Sequence, residues 1–221
     1  MHNITENQLW DSYNNLLLSS DIDRVRKLLC RYELFKTSLG IPGDIVECGV
    51  FKGAGWMYWI KLLRLFAEGE QKKVVGFDTF GSFADSLLDY EKESAKNFVD
   101  EAAFEGIDPL ELESSAKASG FNNCELISGD VLNTIPEYAK NNPGFRISLL
   151  NLDFDTYKGT KVALEIFYKY VTPGGIVVLD EYGKRGWGES DAVDEFLKDK
   201  HIQLKSIRKS FQPTAYFIKP I

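Results

Sequence analysis

The chain of 221 residues predicts one α/β domain with a mostly parallel sheet, helices on both faces and an antiparallel hairpin at the C-terminal edge. Short apolar runs alternate with segments of helical periodicity, the pattern of strands joined by crossover helices. A hydrophobic content of 44% over this length is enough for one substantial core. Two late apolar runs around a turn-rich stretch favour the edge hairpin.

The first 40 residues are expected to form a helical cap on this single domain of residues 1–221. Apolar residues recur at helical spacing from residue 5 to residue 39, and Asp21 or Asp23 is a candidate cap between two helices. The predicted strands that follow cover residues 44–49, 73–78, 124–128, 146–152, 176–179, 202–207 and 214–218. The predicted helices between them cover residues 57–66, 131–140, 159–170 and 191–198.

An acidic insert follows the second predicted strand, at residues 82–121. It has ten acidic and three basic residues, so it accounts for the whole net charge of −7, and the remainder balances at 23 of each sign. Phe83 and Phe98 are among its apolar positions at helical spacing. A helical lid over a ligand and a static helical hairpin both fit this pattern.

Composition excludes several classes of protein. A general nucleic-acid binder needs a basic footprint, which the sequence lacks. Charges interrupt every apolar stretch before the roughly 18 residues of a membrane helix, and residues 1–6 are unlike a signal peptide. Cys30, Cys48 and Cys124 form no Cys-x-x-Cys pair and are interpreted as reduced, buried thiols. We therefore expect a cytoplasmic protein with no membrane or nucleic-acid partner; homo-oligomerisation stays open.

A glycine-bearing loop joins the first predicted strand to its helix. It contains Glu47, Gly49 and Gly53, and glycines allow a backbone to turn tightly close to a ligand. The spacing matches neither G-x-G-x-x-G nor G-x-x-x-x-G-K-[ST], which disfavours NAD and ATP. The alternative is that this loop is an ordinary strand-to-helix turn that binds no ligand.

Two further acids end the next two predicted strands. Asp78 follows the second strand, where an acid accepts hydrogen bonds from ribose hydroxyls. Asp130 follows the third, where it can accept from an adenine amino group or merely cap the next helix. Together with Glu47, these acids suit a nucleoside without phosphates, since a pyrophosphate would be repelled.

Four carboxylates end the fourth and fifth predicted strands: Asp153, Asp155, Asp180 and Glu181. The carboxyl ends of parallel strands meet at one edge of a sheet, so these side chains should converge. Like charges at such a distance stay ionised only beside a positive group, such as a divalent cation; otherwise one of them takes up a proton.

The chain resembles the class I S-adenosylmethionine-dependent O-methyltransferases of the macrocin O-methyltransferase type, which have a Rossmann-like sheet and act on sugars and related groups of natural products. The resemblance covers residues 24–197. It rests on PGDIVECGV at 42–50, GFDTF at 76–80, LDFDTY at 152–157, PGG at 173–175 leading to DEYG at 180–183, and AVDEF at 192–196.

The resemblance implies a magnesium-dependent enzyme. It makes Asp153, Asp180 and Glu181 the metal ligands and Asp155 the base, unless Asp155 only caps the next helix. The family more often has Asp-Asp where this chain has Asp180-Glu181, which leaves open whether Glu181 binds the metal directly. Hard oxygen ligands suit Mg²⁺ or Mn²⁺ better than zinc. The candidate cofactor site comprises Glu47, Gly49, Gly53, Asp78, Thr79, Asp130 and Val131.

The acceptor implied by the resemblance is a hydroxyl of a small molecule, most simply a saccharide. Lys184, Arg185 and Trp187 follow the second acidic motif and either contact this acceptor or are surface charges beside a buried indole. A phenol or catechol methyltransferase of the same fold is a second interpretation. A nucleoside-binding scaffold is a third, although a scaffold has no need of four clustered carboxylates.

Overall fold

The computed structural model describes residues 4–66, 72–84, 86–102, 106–207 and 211–221. Its strands are β1 (Asp44–Cys48), β2 (Val74–Asp78), β3 (Cys124–Ser128), β4 (Ile147–Leu152), β5 (Val171–Leu179) and β6 (Ala215–Ile218). They form one sheet in the order β3-β2-β1-β4-β5-β6. All neighbours are parallel except β6, which is antiparallel to β5. The predicted mixed α/β sheet is thus confirmed.

The α-helices in the described ranges are α1 (Glu6–Leu18), α2 (Asp23–Ser38), α3 (Ala54–Leu65), α4 (Lys92–Ala102), α5 (Pro109–Ala118), α6 (Val131–Asn141), α7 (Tyr157–Phe167) and α8 (Glu189–Leu197). Apolar side chains of α2, α3 and α5 pack on one face of the sheet, and those of α6, α7 and α8 pack on the other. None of the helices described is long and apolar enough to cross a membrane. The strand order reverses between β1 and β4, where such sheets bind ligands beyond the carboxyl ends of their strands.

The two N-terminal helices differ in how they contact the rest of the protein. Helix α2 buries one side, which includes Leu34 and Phe35, against the sheet, whereas none of the 13 residues of α1 is buried. Of the two candidate caps, Asp21 has this role, because its Oδ1 accepts from the backbone N–H groups of Asp23 at 2.9 Å and Arg24 at 3.1 Å.

The prediction of a strand at 202–207 is wrong. Within the described residues, this segment makes one antiparallel bridge, in which Lys205 and Tyr216 exchange backbone hydrogen bonds of 2.8 Å. Ile202 and Leu204 nevertheless pack against the core. The alternation of apolar residues in this segment therefore reflects the burial of their side chains, and the backbone does not form the repeated hydrogen bonds of a strand. The predicted turn between the two runs covers residues 210–213, and its first residue, Ser210, lies outside the described residues together with residues 208 and 209.

The acidic insert is helical over residues 89–102 and 109–118, and its other described residues form turns and loops; residues 85 and 103–105 lie outside the described ranges. A 3₁₀ turn (Asp89–Glu91) leads into α4, and α5 buries Leu112 and Ala116. Phe83 packs on Trp187 with ring centroids 5.8 Å apart, and Trp187 is 8% exposed. This contact favours the buried-indole interpretation of Trp187. Movement of the insert as a lid stays a prediction.

Candidate active site

A cleft of about 1100 Å³ opens at the carboxyl ends of the strands, between α2, the acidic insert and the loops after β4 and β5. Its volume is that of a site for a cofactor together with a second small molecule. Of the predicted site residues, Gly53 and Asp180 do not line this cleft. Those that line it are Glu47, Gly49, Asp78, Thr79, Asp130, Val131, Asp153, Asp155 and Glu181.

Gly49 allows the loop after β1 to contact the loop after β4. Its φ is +94°, and a Cβ at this position would lie 2.0 Å from the carbonyl oxygen of Asp153. No other residue type fits such an approach. The backbone N–H of Asp153 donates to the Cys48 carbonyl at 2.7 Å. The glycine therefore sets the position of the first acidic motif relative to the cofactor loop.

Asp78 holds two turns together from the end of β2. Its Oδ2 accepts from the backbone N–H groups of Val50 at 2.7 Å and Phe51 at 2.8 Å, and its Oδ1 accepts from that of Phe80 at 2.8 Å. Phe51 and Phe80 have φ values of +53° and +55°, which are strained for residues with a side chain. Asp78 thus has a structural role besides the predicted contact with ribose.

Asp130 is the N-cap of α6. Its Oδ1 accepts from the backbone N–H of Leu132 at 2.9 Å. Asp130 therefore caps this helix, and because it also lines the cleft, its contact with adenine stays a prediction.

A lysine from α2 lies between the two acidic motifs. The Lys27 Nζ is 2.8 Å from Asp180 Oδ2, at the end of β5, and 3.3 Å from Asp153 Oδ2, at the end of β4. The positive group expected among the carboxylates is thus supplied, in this structure, by the chain itself. Asp180 is fully buried and its Oδ1 has no hydrogen-bond partner among the described residues.

Arg31, one helical turn after Lys27, joins the acidic cluster to the cofactor loop. Its guanidinium lies 3.1 Å from Glu47 Oε1 and 2.9 Å from Asp153 Oδ2, and all of Arg31 is buried except for 4%. The pair of Arg31 and Glu47 has room because residue 55 is a glycine: a Cβ at this position would be 1.9 Å from an Arg31 nitrogen. The Trp59 indole and the Asn151 amide also donate to Glu47 Oε1.

Burial and charge give the carboxyl groups of this cluster different pKa values. Burial raises the pKa of Glu47 to about 7, although Arg31 opposes the change. Burial, reinforced by the charge of Asp153, likewise raises the pKa of Asp180 to about 7. Burial also acts on Asp153, but Lys27 and Arg31 outweigh it, so the pKa of Asp153 is below its ordinary value.

Asp155 has the geometry of a reactive carboxylate. It is 8% exposed, its φ is +66°, and its Oδ1 has no hydrogen-bond partner in the described part of the chain. Burial raises its pKa well above the ordinary value, and neighbouring carboxylates add to this. Helix α7 begins at Tyr157, whose backbone N–H donates to Glu91 Oε1 at 2.6 Å. The helix start is thus capped by Glu91, not by Asp155.

Glu181 is held on one side only. Its Oε1 accepts from Lys184 Nζ at 2.9 Å and from the Gln212 amide, while its Oε2 is buried without a partner among the residues described. Burial raises its pKa. The backbone N–H of Glu181 donates to Glu189 Oε1 at 3.0 Å, so the buried Glu189 fixes the second acidic motif.

The donor set suits a hard divalent cation. Asp180 Oδ1 and Glu181 Oε2 are buried oxygens without partners in the described ranges, and such atoms are stabilised by a positive ion. The described residues nevertheless contain no group of three His, Cys, Asp or Glu side chains already arranged around a metal position. Instead, the Lys27 ammonium group lies between Asp153 and Asp180.

Several residues of the site do not belong to any motif that the sequence analysis identified. Lys27 and Arg31 come from α2, Glu91 from the insert, and Glu189 and Gln212 from segments after β5. Lys27 and Arg31 could have been recognised from the sequence, because they lie on the same face of α2 as the buried Leu34. A cation on a buried helix face needs an acidic partner. No feature of the sequence indicates a role for Glu91, Glu189 or Gln212 in the site.

The chain is similar to sugar O-methyltransferases. It is 27% identical over 147 residues (65% of this chain) to the 8-demethyl-8-(2,3-dimethoxy-alpha-L-rhamnosyl)-tetracenomycin-C 4'-O-methyltransferase of Streptomyces olivaceus. It is 26% identical over 166 residues (73% of this chain) to the mycinamicin III 3''-O-methyltransferase of Micromonospora griseorubida. These matches span 54% and 63% of the relatives' own lengths.

Solved structures agree with this likeness. The calicheamicin methyltransferase CalS11 superposes with a TM-score of 0.79 at 28% identity, covering 97% of this chain and 86% of that one. The O-methyltransferase NovP, at 21% identity, shares the fold with a TM-score of 0.71 over 90% of this chain and 81% of that one. The macrocin O-methyltransferase (TylF) family profile matches residues 23–217, and the chain therefore belongs to that family.

Proposed function

We propose that the protein is an S-adenosylmethionine-dependent O-methyltransferase that acts on a hydroxyl of a sugar or a glycosylated small molecule. The observation that carries this proposal is the meeting of both acidic motifs with the glycine loop around one cleft. Family membership supports the reaction type. The names of the two relatives, which methylate sugar-bearing natural products, support the acceptor class.

The cofactor occupies the side of the cleft bounded by β1, β2 and the start of α6. In this proposal Asp78 accepts from the ribose, Asp130 contacts the adenine, and Gly49, Thr79 and Val131 line the wall. Glu47 Oε2 is buried and has no partner among the described residues, so it suits the ammonium group of the methionine moiety. The sulfonium then faces the acidic motifs, whose negative charge attracts it.

A divalent ion, Mg²⁺ or Mn²⁺, is part of the proposal. Asp153, Asp180 and Glu181 would hold it, and their oxygens are ligands that such ions prefer. When bound, the ion supplies Lewis-acid chemistry that lowers the pKa of the acceptor hydroxyl. The unpartnered oxygens of Asp180 and Glu181 support this assignment.

Asp155 is the proposed base. As the acceptor oxygen bonds to the methyl carbon, the carbon–sulfur bond breaks and the hydroxyl proton passes to Asp155. A carboxyl group with a raised pKa is a stronger proton acceptor than an exposed one, and the adjacent sulfonium charge favours its ionised form. Backbone N–H groups of Gly188 and Glu189, each at 3.1 Å from the Asp155 carbonyl oxygen, keep the loop in place.

The acceptor enters on the side of the cleft formed by α2 and the segment before β6. Phe211 is 52% exposed there, and an aromatic ring can stack on the apolar face of a sugar. Gln212 and Lys184 line the same side and offer hydrogen-bond donors for hydroxyl groups. This mixture of one ring and several donors favours a saccharide over a planar phenol.

The test is methyl transfer from labelled S-adenosylmethionine to three sets of acceptors: rhamnosylated small molecules, nucleotide-linked deoxysugars and catechols. We expect labelling of a sugar hydroxyl, its loss with a chelator, and its recovery with magnesium or manganese. Labelling of catechols alone would favour the second interpretation. Cofactor binding without transfer to any acceptor would favour a scaffold. Full activity in the chelator would remove the metal from the proposal.

A further inference from the structure

Lys27 occupies the position between the acidic motifs that a metal would need. Its Nζ is within 3.3 Å of an oxygen of Asp153 and within 2.8 Å of an oxygen of Asp180, which are two of the three proposed ligands. A divalent cation that bridges the carboxylates of Asp153 and Asp180 would lie close to this ammonium group, and two positive charges at such a distance repel each other.

We propose that Lys27 is a built-in competitor of the divalent metal: its ammonium group neutralises the acidic motifs in the metal-free protein, and the metal binds only by displacing it. Lys27 thus sets the metal affinity of the site without itself binding the metal. This inference rests on the proposed function, since it assumes the metal site at Asp153 and Asp180.

Charge balance supports the exchange. Two buried carboxylates at one point repel each other unless a cation lies between them. Lys27 carries one positive charge on a long, flexible stem, and its side chain is 31% exposed, so it can swing into the cleft that it already lines. Because the ammonium group can leave, a metal can take its place as the cation that neutralises the two carboxylates.

Arg31 is unsuited to the same exchange. Its side chain is 5% exposed and its planar fork binds Glu47 and Asp153 at once, so release would leave two buried acids without a partner. Arg31 therefore stays in place and holds Asp153 Oδ2. The second oxygen of Asp153 and both oxygens of Asp180 remain for a metal once Lys27 has moved.

The experiment measures Mn²⁺ binding by electron paramagnetic resonance of the free ion, without cofactor or acceptor. Lys27→Met removes the charge but keeps a similar length and volume. We expect its Kd for Mn²⁺ to fall roughly tenfold or more below that of the unmodified protein, because a charge-assisted hydrogen bond to Asp180 no longer has to be broken. The Kd of Lys27→Gln for Mn²⁺ should lie between that of Lys27→Met and that of the unmodified protein. Lys27→Gln replaces Lys27→Met if the latter does not fold.

The matched control is Lys36→Met on the same helix, whose ammonium pairs with Glu33 on the surface. Its Mn²⁺ affinity should equal that of the unmodified protein. If the unmodified protein binds Mn²⁺ and both folded Lys27 variants bind it equally or more weakly, the competition is refuted while the metal site stands. If no protein binds Mn²⁺, the proposed metal site itself fails and the exchange fails with it.

Discussion

Glu47→Gln should make the protein progressively more stable than the unmodified protein as the pH rises. Glu47 is buried, and burial raises its pKa from 4.5 to about 7 despite the Arg31 guanidinium at 3.1 Å. The folded protein therefore holds this proton more tightly than the unfolded chain does. The contribution of Glu47 to stability is complete below pH 4.5 and is lost as the pH rises towards 7.

The size of the effect follows from the two pKa values. A difference between 7 and 4.5 corresponds to about 3 kcal/mol, at about 1.36 kcal/mol for each pKa unit. About 2 to 3 kcal/mol of this is lost between pH 5 and pH 8.5. Glutamine resembles the protonated acid and cannot ionise. The free energy of unfolding of Glu47→Gln minus that of the unmodified protein should increase by this amount over the same range.

The assay is urea denaturation at pH 5, 6, 7 and 8.5, with chelator and without cofactor. Subtracting the free energies of unfolding of the two proteins at each pH removes the titration of groups common to both. The control is Glu33→Gln, which makes the same substitution in a carboxylate on the surface of α2 that is 56% exposed; its effect on stability should be small, because exposed ion pairs contribute little. A difference for Glu47→Gln that stays constant, or that decreases with rising pH, would refute the reasoning.

Two further substitutions test the assigned roles. Asp155→Asn keeps the size of the side chain but cannot take up a proton, so turnover should fall roughly 10²–10⁴-fold while calorimetry gives near-normal cofactor and Mn²⁺ affinities; loss of metal binding instead would assign Asp155 as a ligand. Asp78→Ala removes the acceptor of the Val50 and Phe51 N–H groups and the proposed ribose contact, so S-adenosylmethionine affinity should fall at least about tenfold by calorimetry. Unchanged affinity would place the ribose elsewhere.

The acidic motifs were predictable because topology alone brings them together. Apolar runs fixed the ends of β4 and β5, and parallel neighbours end at the same edge, so the convergence of Asp153 and Asp180 needed no side-chain detail. The arrangement of Asp155 was less predictable. Strand β4 ends at Leu152 and Asp155 adopts a positive φ, so a regular continuation of the strand would place its side chain wrongly.

The partners of these acids were not predictable in the same way. Lys27 comes from a helix more than 120 residues before Asp153, and its contact depends on how α2 packs against the sheet. Periodicity identified the helix but gave no partner for its cations. The wrongly predicted strand at 202–207 has a related cause, since alternation of apolar residues records burial and carries no information on the hydrogen bonds of the backbone.

The cap that Glu91 provides for α7 limits how this chain can be recombined with its relatives. Glu91 belongs to the insert, is fully buried, and accepts from the backbone N–H groups of Leu88 at 2.8 Å and Tyr157 at 2.6 Å. A chimera that exchanges residues 82–121 as a cassette to alter acceptor choice would also remove the group that caps the helix following Asp155. Grafts should therefore retain a carboxylate at position 91, and an insert without one would impair turnover whatever acceptor it recognises.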